Sequence, residues 1–256
     1  MLYVRSIVFL IAFYLFLAVV SLLALPCFVL PHKVGVWPMK FWARGVLVLL
    51  RWICGVKVAF RGLEHLPRDG ALIAAKHQAA WETFALMPIL PDPIYVLKRE
   101  LFLLPFFGWY ARKFGMIGID RSSGVKALNE IADKARAAID KGRQVIIFPE
   151  GTRTRPGAPP DYKNGTAHLY HRMKRSVVPV ALNSGLYWPR DSLVRYPGTI
   201  VVEFLPEIPP GLPLKVFRER LKDEIETASD RLYREGLAEL KRPLPAGDRV
   251  QAAEEE

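Results

Sequence analysis

Apolar positions fall into two regimes along this chain of 256 residues. In the first, no charged residue occurs between Ser6 and Pro31, and Ile7–Leu25 is apolar on every side. A soluble amphipathic helix would confine its apolar residues to one stripe. Read as a helix, Ile7–Leu25 is about 28 Å long at ~1.5 Å per residue, close to a hydrocarbon core of about 30 Å. The expectation is a membrane anchor. The run is too long for a signal-peptide core, and no Ala-x-Ala site follows it. Pro26 ahead of Cys27 argues against a lipoprotein cleavage site. Pro26 and Pro31 leave a re-entrant hairpin open as an alternative to a full span. Over Lys33–Phe60, Trp37, Phe41, Trp42 and Trp52 mix with Lys40, Arg44, Arg51 and Lys57. That mixture fits a helix at the headgroup level, and equally an amphipathic helix packed on the domain.

In the second regime short β-rich apolar runs alternate with helical periodicity. Strands are expected at Val56–Arg61, Ala71–Ala75, Ile94–Leu97, Met116–Ile119, Gln144–Phe148, Val177–Leu182 and Thr199–Leu205. Helices are expected at Glu82–Leu90, Gly124–Lys141, Gly165–Lys174 and Leu214–Leu240. The alternation predicts an α/β fold: a largely parallel, mixed sheet of about seven strands covered by helices, behind an N-terminal anchoring segment. The division is residues 1–54 for anchor and interfacial helices, 55–242 for the α/β domain, and 243–256 for a frayed tail.

Composition narrows the class of partner. Lys and Arg number 36 against 25 Asp and Glu, a formal net charge of +11. Such an excess favours anionic partners. The cations are scattered among apolar residues rather than blocked, and no nucleic-acid-binding motif is present, so nucleic acid is not expected. The bilayer is. Basic residues after the anchor outnumber Arg5 before it, which predicts a cytoplasmic (inner) membrane location with the α/β domain on the cytoplasmic side. Cys27 and Cys54 have no metal-site or disulfide spacing, and neither metal nor cofactor is expected.

Candidate chemistry gathers at strand ends. His77 follows the apolar run Ala71–Ala75, and Glu82 comes five residues later. Positions five apart diverge by about 140° around a helix, so the pair meets only if His77 lies in the turn and Glu82 on the first helical turn. The carboxylate would then hold one ring nitrogen and leave the other to act as a base. A bare pair of this spacing could also be a surface histidine near an unrelated glutamate. Phe148-Pro149-Glu150-Gly151-Thr152-Arg153 follows a second apolar run. Gly151 permits a tight turn, and Arg153 can grip phosphate oxygens with two bonds; the bland reading is a plain β-turn. Arg121, after Met116–Ile119, is a third strand-end residue. Ligands of open parallel sheets gather at carboxyl ends of strands, so the three motifs support one another. Lys163 and Gly165 are weaker phosphate-site candidates. His168 and His171 lack a third ligand for a metal. No nucleophile elbow, phosphate-binding loop or zinc motif occurs. A base without a protein nucleophile points to direct attack by a substrate hydroxyl.

These residues resemble a known family. His77…Glu82, Gly115…Arg121, Phe148–Arg153 and Val178-Pro179-Val180 match, in order and spacing, the four blocks of the glycerolipid acyltransferases, above all the bacterial 1-acylglycerol-3-phosphate branch. The match runs from about Val56 to Gly211. The resemblance implies that His77 and Glu82 are catalytic and that His77 deprotonates the 2-hydroxyl of lysophosphatidic acid. It implies acyl-CoA or acyl-carrier protein as donor. It places Arg121, Glu150, Gly151, Thr152 and Arg153 around the acceptor's phosphate, with Glu150 suited to fixing the loop or holding a glycerol hydroxyl. The family usually has Asp where this chain has Glu82. Two other readings are acylation of another lyso-lipid, such as lyso-ornithine lipid, and an inactive lipid-binding protein.

Overall fold

The computed structural model describes residues 1–120, 124–243 and 250. Its centre is a sheet of seven strands: β1 (Val56–Arg61), β2 (Ala71–Ala75), β3 (Pro93–Lys98), β4 (Ile117–Ile119), β5 (Gln144–Ile147), β6 (Val177–Leu182) and β7 (Gly198–Phe204). The spatial order is β1-β7-β6-β2-β5-β3-β4. All neighbours are parallel except β6 and β7. The carboxyl ends of β2 to β6 therefore share one edge of the sheet. Pro179 inside β6 lacks an N–H donor, and it lies just before the pairing with β7 begins at Val180.

Both faces of the sheet are covered, which explains the unbroken apolar runs of β2, β5 and β6. On one face Ile73, Ile146, Val180 and Val202 pack under α1 (Leu2–Leu23), α2 (His32–Leu49), α3 (Glu82–Ala85) and α7 (Ser184–Tyr187). On the other, Leu72, Ile94, Val145 and Val177 pack under α5 (Gly124–Ile139), α6 (Asn164–Met173) and α8 (Leu214–Glu239). Residues of opposite parity on β2 thus feed opposite cores, as the two-residue repeat requires. A seventh-strand edge is left at β4, capped by the 3₁₀ turn Arg99–Leu103 and α4 (Phe107–Lys113). The four expected helices are present; Glu82–Leu90 is shortened to α3, while α4 and α7 are additions. The tail beyond residue 243 lies outside the described residues, Val250 excepted.

The N-terminal segment is a helical hairpin. α1 passes through a 3₁₀ turn, Leu25–Phe28, into α2, which ends in a π turn, Leu50–Cys54, before β1. Gly45 of α2 lets the Phe16 ring of α1 approach so closely that a Cβ there would sit 2.3 Å from it. α1 is long and apolar enough to cross a membrane, yet it lies along the domain. Phe9 is buried edge-on against Trp188 at 5.5 Å, and Phe13 meets Trp42 at 5.6 Å and Phe84 at 6.2 Å. Ser6 Oγ accepts the Arg195 N–H at 2.8 Å, and Tyr110 donates to Ser21 O at 2.6 Å. The opposite side of α1, through Val4, Ile11, Leu15, Val19 and Leu22, is bare. His32 pairs with Asp92 at 2.9 Å and ties the start of α2 to the domain.

Candidate active site

β2 ends at Ala75, and its chain turns across the carboxyl edge of the sheet through Lys76-His77-Gln78 into α3. That turn brings His77 Nδ1 to 3.0 Å from Glu82 Oε1. Glu82 is fully buried. Its Oε1 also accepts the backbone N–H groups of Gln78 at 2.5 Å and Ala79 at 2.7 Å, and its Oε2 accepts the Ser184 hydroxyl at 2.9 Å. Four donors fill the acceptor capacity of one carboxylate. Because backbone N–H groups can only donate, the oxygen facing them is an acceptor. His77 Nδ1 therefore carries the proton, and Nε2 of the neutral ring keeps its lone pair. Nε2 has no hydrogen-bond partner among the described residues. The imidazole is stacked on Phe148 at 4.0 Å and 15°, so the ring plane is fixed as well as the tautomer. Tyr95 donates to the Glu82 carbonyl at 3.2 Å. Burial first, and then the Glu82 charge, hold its phenol well above the ordinary value, so it remains a donor.

The neighbouring strand β5 delivers Phe148–Arg153 to the same edge. The turn closes with Gly151 N–H to Phe148 O at 2.9 Å and has Gly151 at φ +65°, a conformation that a side chain would strain. The two loops are stitched together, since Thr154 N–H donates to His77 O at 2.8 Å. Thr152 is exposed and Arg153 half-buried. The Arg153 guanidinium has no ion pair or hydrogen bond among the described residues, while its carbonyl accepts from Arg190. Glu150 turns the other way. Its carboxylate is 2% exposed, lies 2.9 Å from Lys76 Nζ, and makes a weak contact at 3.5 Å with the His77 N–H. Through Lys76 it ties the loop to the end of β2. Arg121 lies outside the described residues. Asp120 beside it pairs with Arg99 at 3.3 Å.

Several participants escaped the motif reading. Lys76 is 3% exposed and bridges Glu150 to Glu226 of α8, 2.7 Å away; Tyr162 donates to the same Glu226 oxygen at 2.9 Å. A buried cation between two carboxylates joins both loops to the C-terminal helix. Ser184 follows the end of β6, so the strand-end argument applied to that strand would have found it. Gln78 accepts the Gly185 N–H at 3.0 Å and locks α7 to the His77 turn. Lys163 pairs with Asp161, and His168 bonds Asn129 at 2.8 Å. A groove of about 1000 Å³, lined by Arg99, Phe102, Arg112, Lys126 and Lys134 among others, lies at β4, three strands from His77 in the sheet order. His77 and the Phe148–Arg153 loop, at the ends of β2 and β5, do not line this groove.

Comparison with known proteins agrees with this geometry. The acyltransferase family model matches residues 57–183. A 1-acyl-sn-glycerol-3-phosphate acyltransferase of Pseudomonas aeruginosa is 40% identical over 161 residues, 63% of this chain and 63% of that protein. One from Cocos nucifera is 29% identical over 201 residues, 77% of this chain and 63% of the relative. The chain thus spans about 63% of the length of these relatives. The crystal structure of a 1-acyl-sn-glycerophosphate acyltransferase from Thermotoga maritima superposes with a TM-score of 0.75 at 19% identity, covering 91% of this chain and 99% of that one. That likeness concerns the fold.

Proposed function

The chain belongs to the acyltransferase family, and from that premise we propose that it transfers a fatty acyl group from a thioester donor to the 2-hydroxyl of 1-acylglycerol-3-phosphate, giving phosphatidic acid. The observation that carries this reading is the His77 ring, held at Nδ1 by the buried Glu82 and stacked on Phe148, with Nε2 bare of any partner among the described residues. Nε2 takes the proton of the 2-hydroxyl as its oxygen attacks the thioester carbonyl. The tetrahedral intermediate collapses, and the imidazolium returns the proton to the departing thiolate of coenzyme A or of a carrier protein's pantetheine. Glu82 stabilises the transient imidazolium and orients the ring.

Arg153, whose guanidinium has no partner among the described residues, lies on the adjacent loop and is suited to the acceptor's phosphate, with Thr152 beside it and Gly151 allowing close approach. Glu150 acts through Lys76 and the loop. Arg121 is proposed for the same phosphate on the family resemblance. The headgroup of 1-acylglycerol-3-phosphate supplies the anion that this arginine lacks, which favours it over a lyso-lipid without phosphate.

The partner surface is a bilayer. α1 presents a bare apolar side and touches the domain near both its ends, an arrangement suited to a hairpin seated in one leaflet with the domain on its surface. A cytoplasmic face of the inner membrane remains the proposed location. The test is acyl transfer by the purified full-length protein in vesicles, with labelled acyl-CoA and acyl-carrier protein and a panel of lyso-lipid acceptors. Formation of phosphatidic acid, lost in His77→Ala with the protein still folded, supports the reading. Equal rates on acceptors with and without phosphate would overturn the acceptor assignment, and thioester turnover unaffected by His77→Ala would overturn the mechanism.

A further inference from the structure

Between β3 and β4 the chain carries a second apolar surface. Leu103 is 78% exposed, Leu104 49%, Phe106 43%, Phe107 47% and Trp109 47%. Scattered exposed apolar side chains are ordinary, but five within seven positions form a patch of the kind that marks an interaction site. The segment is not bare for want of structure. Gly108 N–H donates to Leu104 O at 2.8 Å, Phe107 N–H to Pro105 O at 2.6 Å, and the Phe106 and Trp109 rings meet at 5.1 Å. A Cβ on Gly108 would lie 2.1 Å from Phe102 O, so the tight approach excludes any side chain there. Phe106 is held at φ +60°, a conformation costly for a bulky residue. The fold spends strain to keep these side chains outward.

What covers the patch is indicated by its neighbour. α4 is fastened to the far end of α1 and the turn after it. Tyr110 donates to Ser21 O, its ring meets Phe28 at 4.9 Å, and Lys113 Nζ donates to Phe28 O at 2.8 Å. There Leu22, Leu23, Leu25 and Val29 are themselves exposed. The patch therefore continues the bare side of a helix that is long and apolar enough for a bilayer. Arg99 and Arg112 flank the segment in sequence, a basic border of the kind that suits anionic headgroups.

We propose that Leu103–Trp109 is a second leaflet-inserting element, which enters the same face of the bilayer as α1 and fixes the depth and tilt of the domain. Two separated apolar contacts hold the domain in one orientation, where a single hairpin would let it rock. The segment continues directly from β3, whose Tyr95 ring lies 6.2 Å from Phe148 under the His77 ring. Its insertion sets how far the reacting edge stands from the lipid headgroups. The proposal extends the bilayer partnership above and can fail without it.

The test uses the full-length protein with Leu103→Cys carrying an environment-sensitive fluorophore. Cys27 and Cys54 are buried, and burial pushes the Cys54 thiol up, so the new thiol is the one labelled. Glu219→Cys on α8 is the exposed control. Vesicles of phosphatidylethanolamine and phosphatidylglycerol carrying a spin-labelled lipid should quench the label at 103 and leave it at 219 unquenched. Leu103→Ser/Phe107→Ser should weaken vesicle binding about tenfold or more, given the transfer value of two large apolar side chains. It should slow acylation of bilayer acceptor while leaving the rate on a short-chain, water-soluble acceptor within about twofold. A label at 103 that stays open to aqueous iodide on vesicles that bind the protein overturns the proposal and spares the hairpin anchor. No vesicle binding at all overturns both. A lipid-free dimer dissociated by the double substitution would assign the patch to a second copy and overturn it as well.

Discussion

Glu82→Gln separates orientation from charge in the proposed catalytic pair, His77 and Glu82. In most carboxylate-to-amide changes the amide can turn either way, and a flipped amide forces the wrong histidine tautomer. Here the backbone N–H groups of Gln78 and Ala79 both point at Oε1. An amide NH₂ at that position would face two donors, so the amide oxygen is held there and His77 Nδ1 still has an acceptor. Ser184, which donates to Oε2, can rotate its hydroxyl and accept from the new NH₂. Geometry and tautomer survive, and only the charge is lost. At 3.0 Å and an effective dielectric of about 20, a full ion pair is worth about 5 kcal/mol. With the imidazolium about half-developed in the transition state, about 2–3 kcal/mol is lost, or roughly 30- to 150-fold in rate. The expected result is kcat down by about two orders of magnitude, acceptor KM nearly unchanged, and Tm within a few degrees. Single-turnover acyl transfer with matched protein amounts measures it. A kcat within threefold of the parent would refute an electrostatic role for Glu82.

Arg153→Ala should raise the acceptor KM about 10- to 100-fold, the worth of a charge-assisted contact of roughly 1.5–3 kcal/mol, with the donor KM little changed; equal changes in both would place the phosphate elsewhere. Lys76→Met leaves Glu150 and Glu226 buried without their cation. The cost of about 3–5 kcal/mol should appear as a Tm lower by roughly 6–20 °C, and Glu226→Gln should cost less because Lys76 keeps Glu150. Phe9→Ala should lower Tm in detergent by a cavity cost of about 3–5 kcal/mol, because Phe9 is core. An unchanged Tm there would make α1 a tether and no part of the fold.

All seven strands were legible because each is a short apolar run bounded by turns, and a strand buried on both faces cannot hide its composition. The pairing of His77 with Glu82 was legible because a spacing of five is productive only across a strand-to-helix turn. Other features depended on distant sequence. Glu226 stands far along the chain on a helix whose charges otherwise read as a solvated face, and only the folded chain brings it to Lys76. α4 was missed because its apolar residues point outward, so the inward periodicity that announces a helix is absent. The anchor could be read as apolar, but its docking on Trp188 and Arg195 could not.

That docking gives the protein a timetable. α1 is made first, yet the surface it rests on includes Trp188 and Arg195, and β1 pairs with β7. At about 5–20 residues per second, roughly ten to forty seconds of synthesis separate the helix from its seat. During that interval α1 has only its hairpin partner α2 to rest on, and its charge-free stretch from Ser6 onward is one that a bilayer accepts. The last long element, α8, then brings Glu226 to Lys76. On the bilayer partnership proposed above, a ribosome-bound chain would reach its membrane before it can react, and the histidine loop is clamped only once α8 has been made.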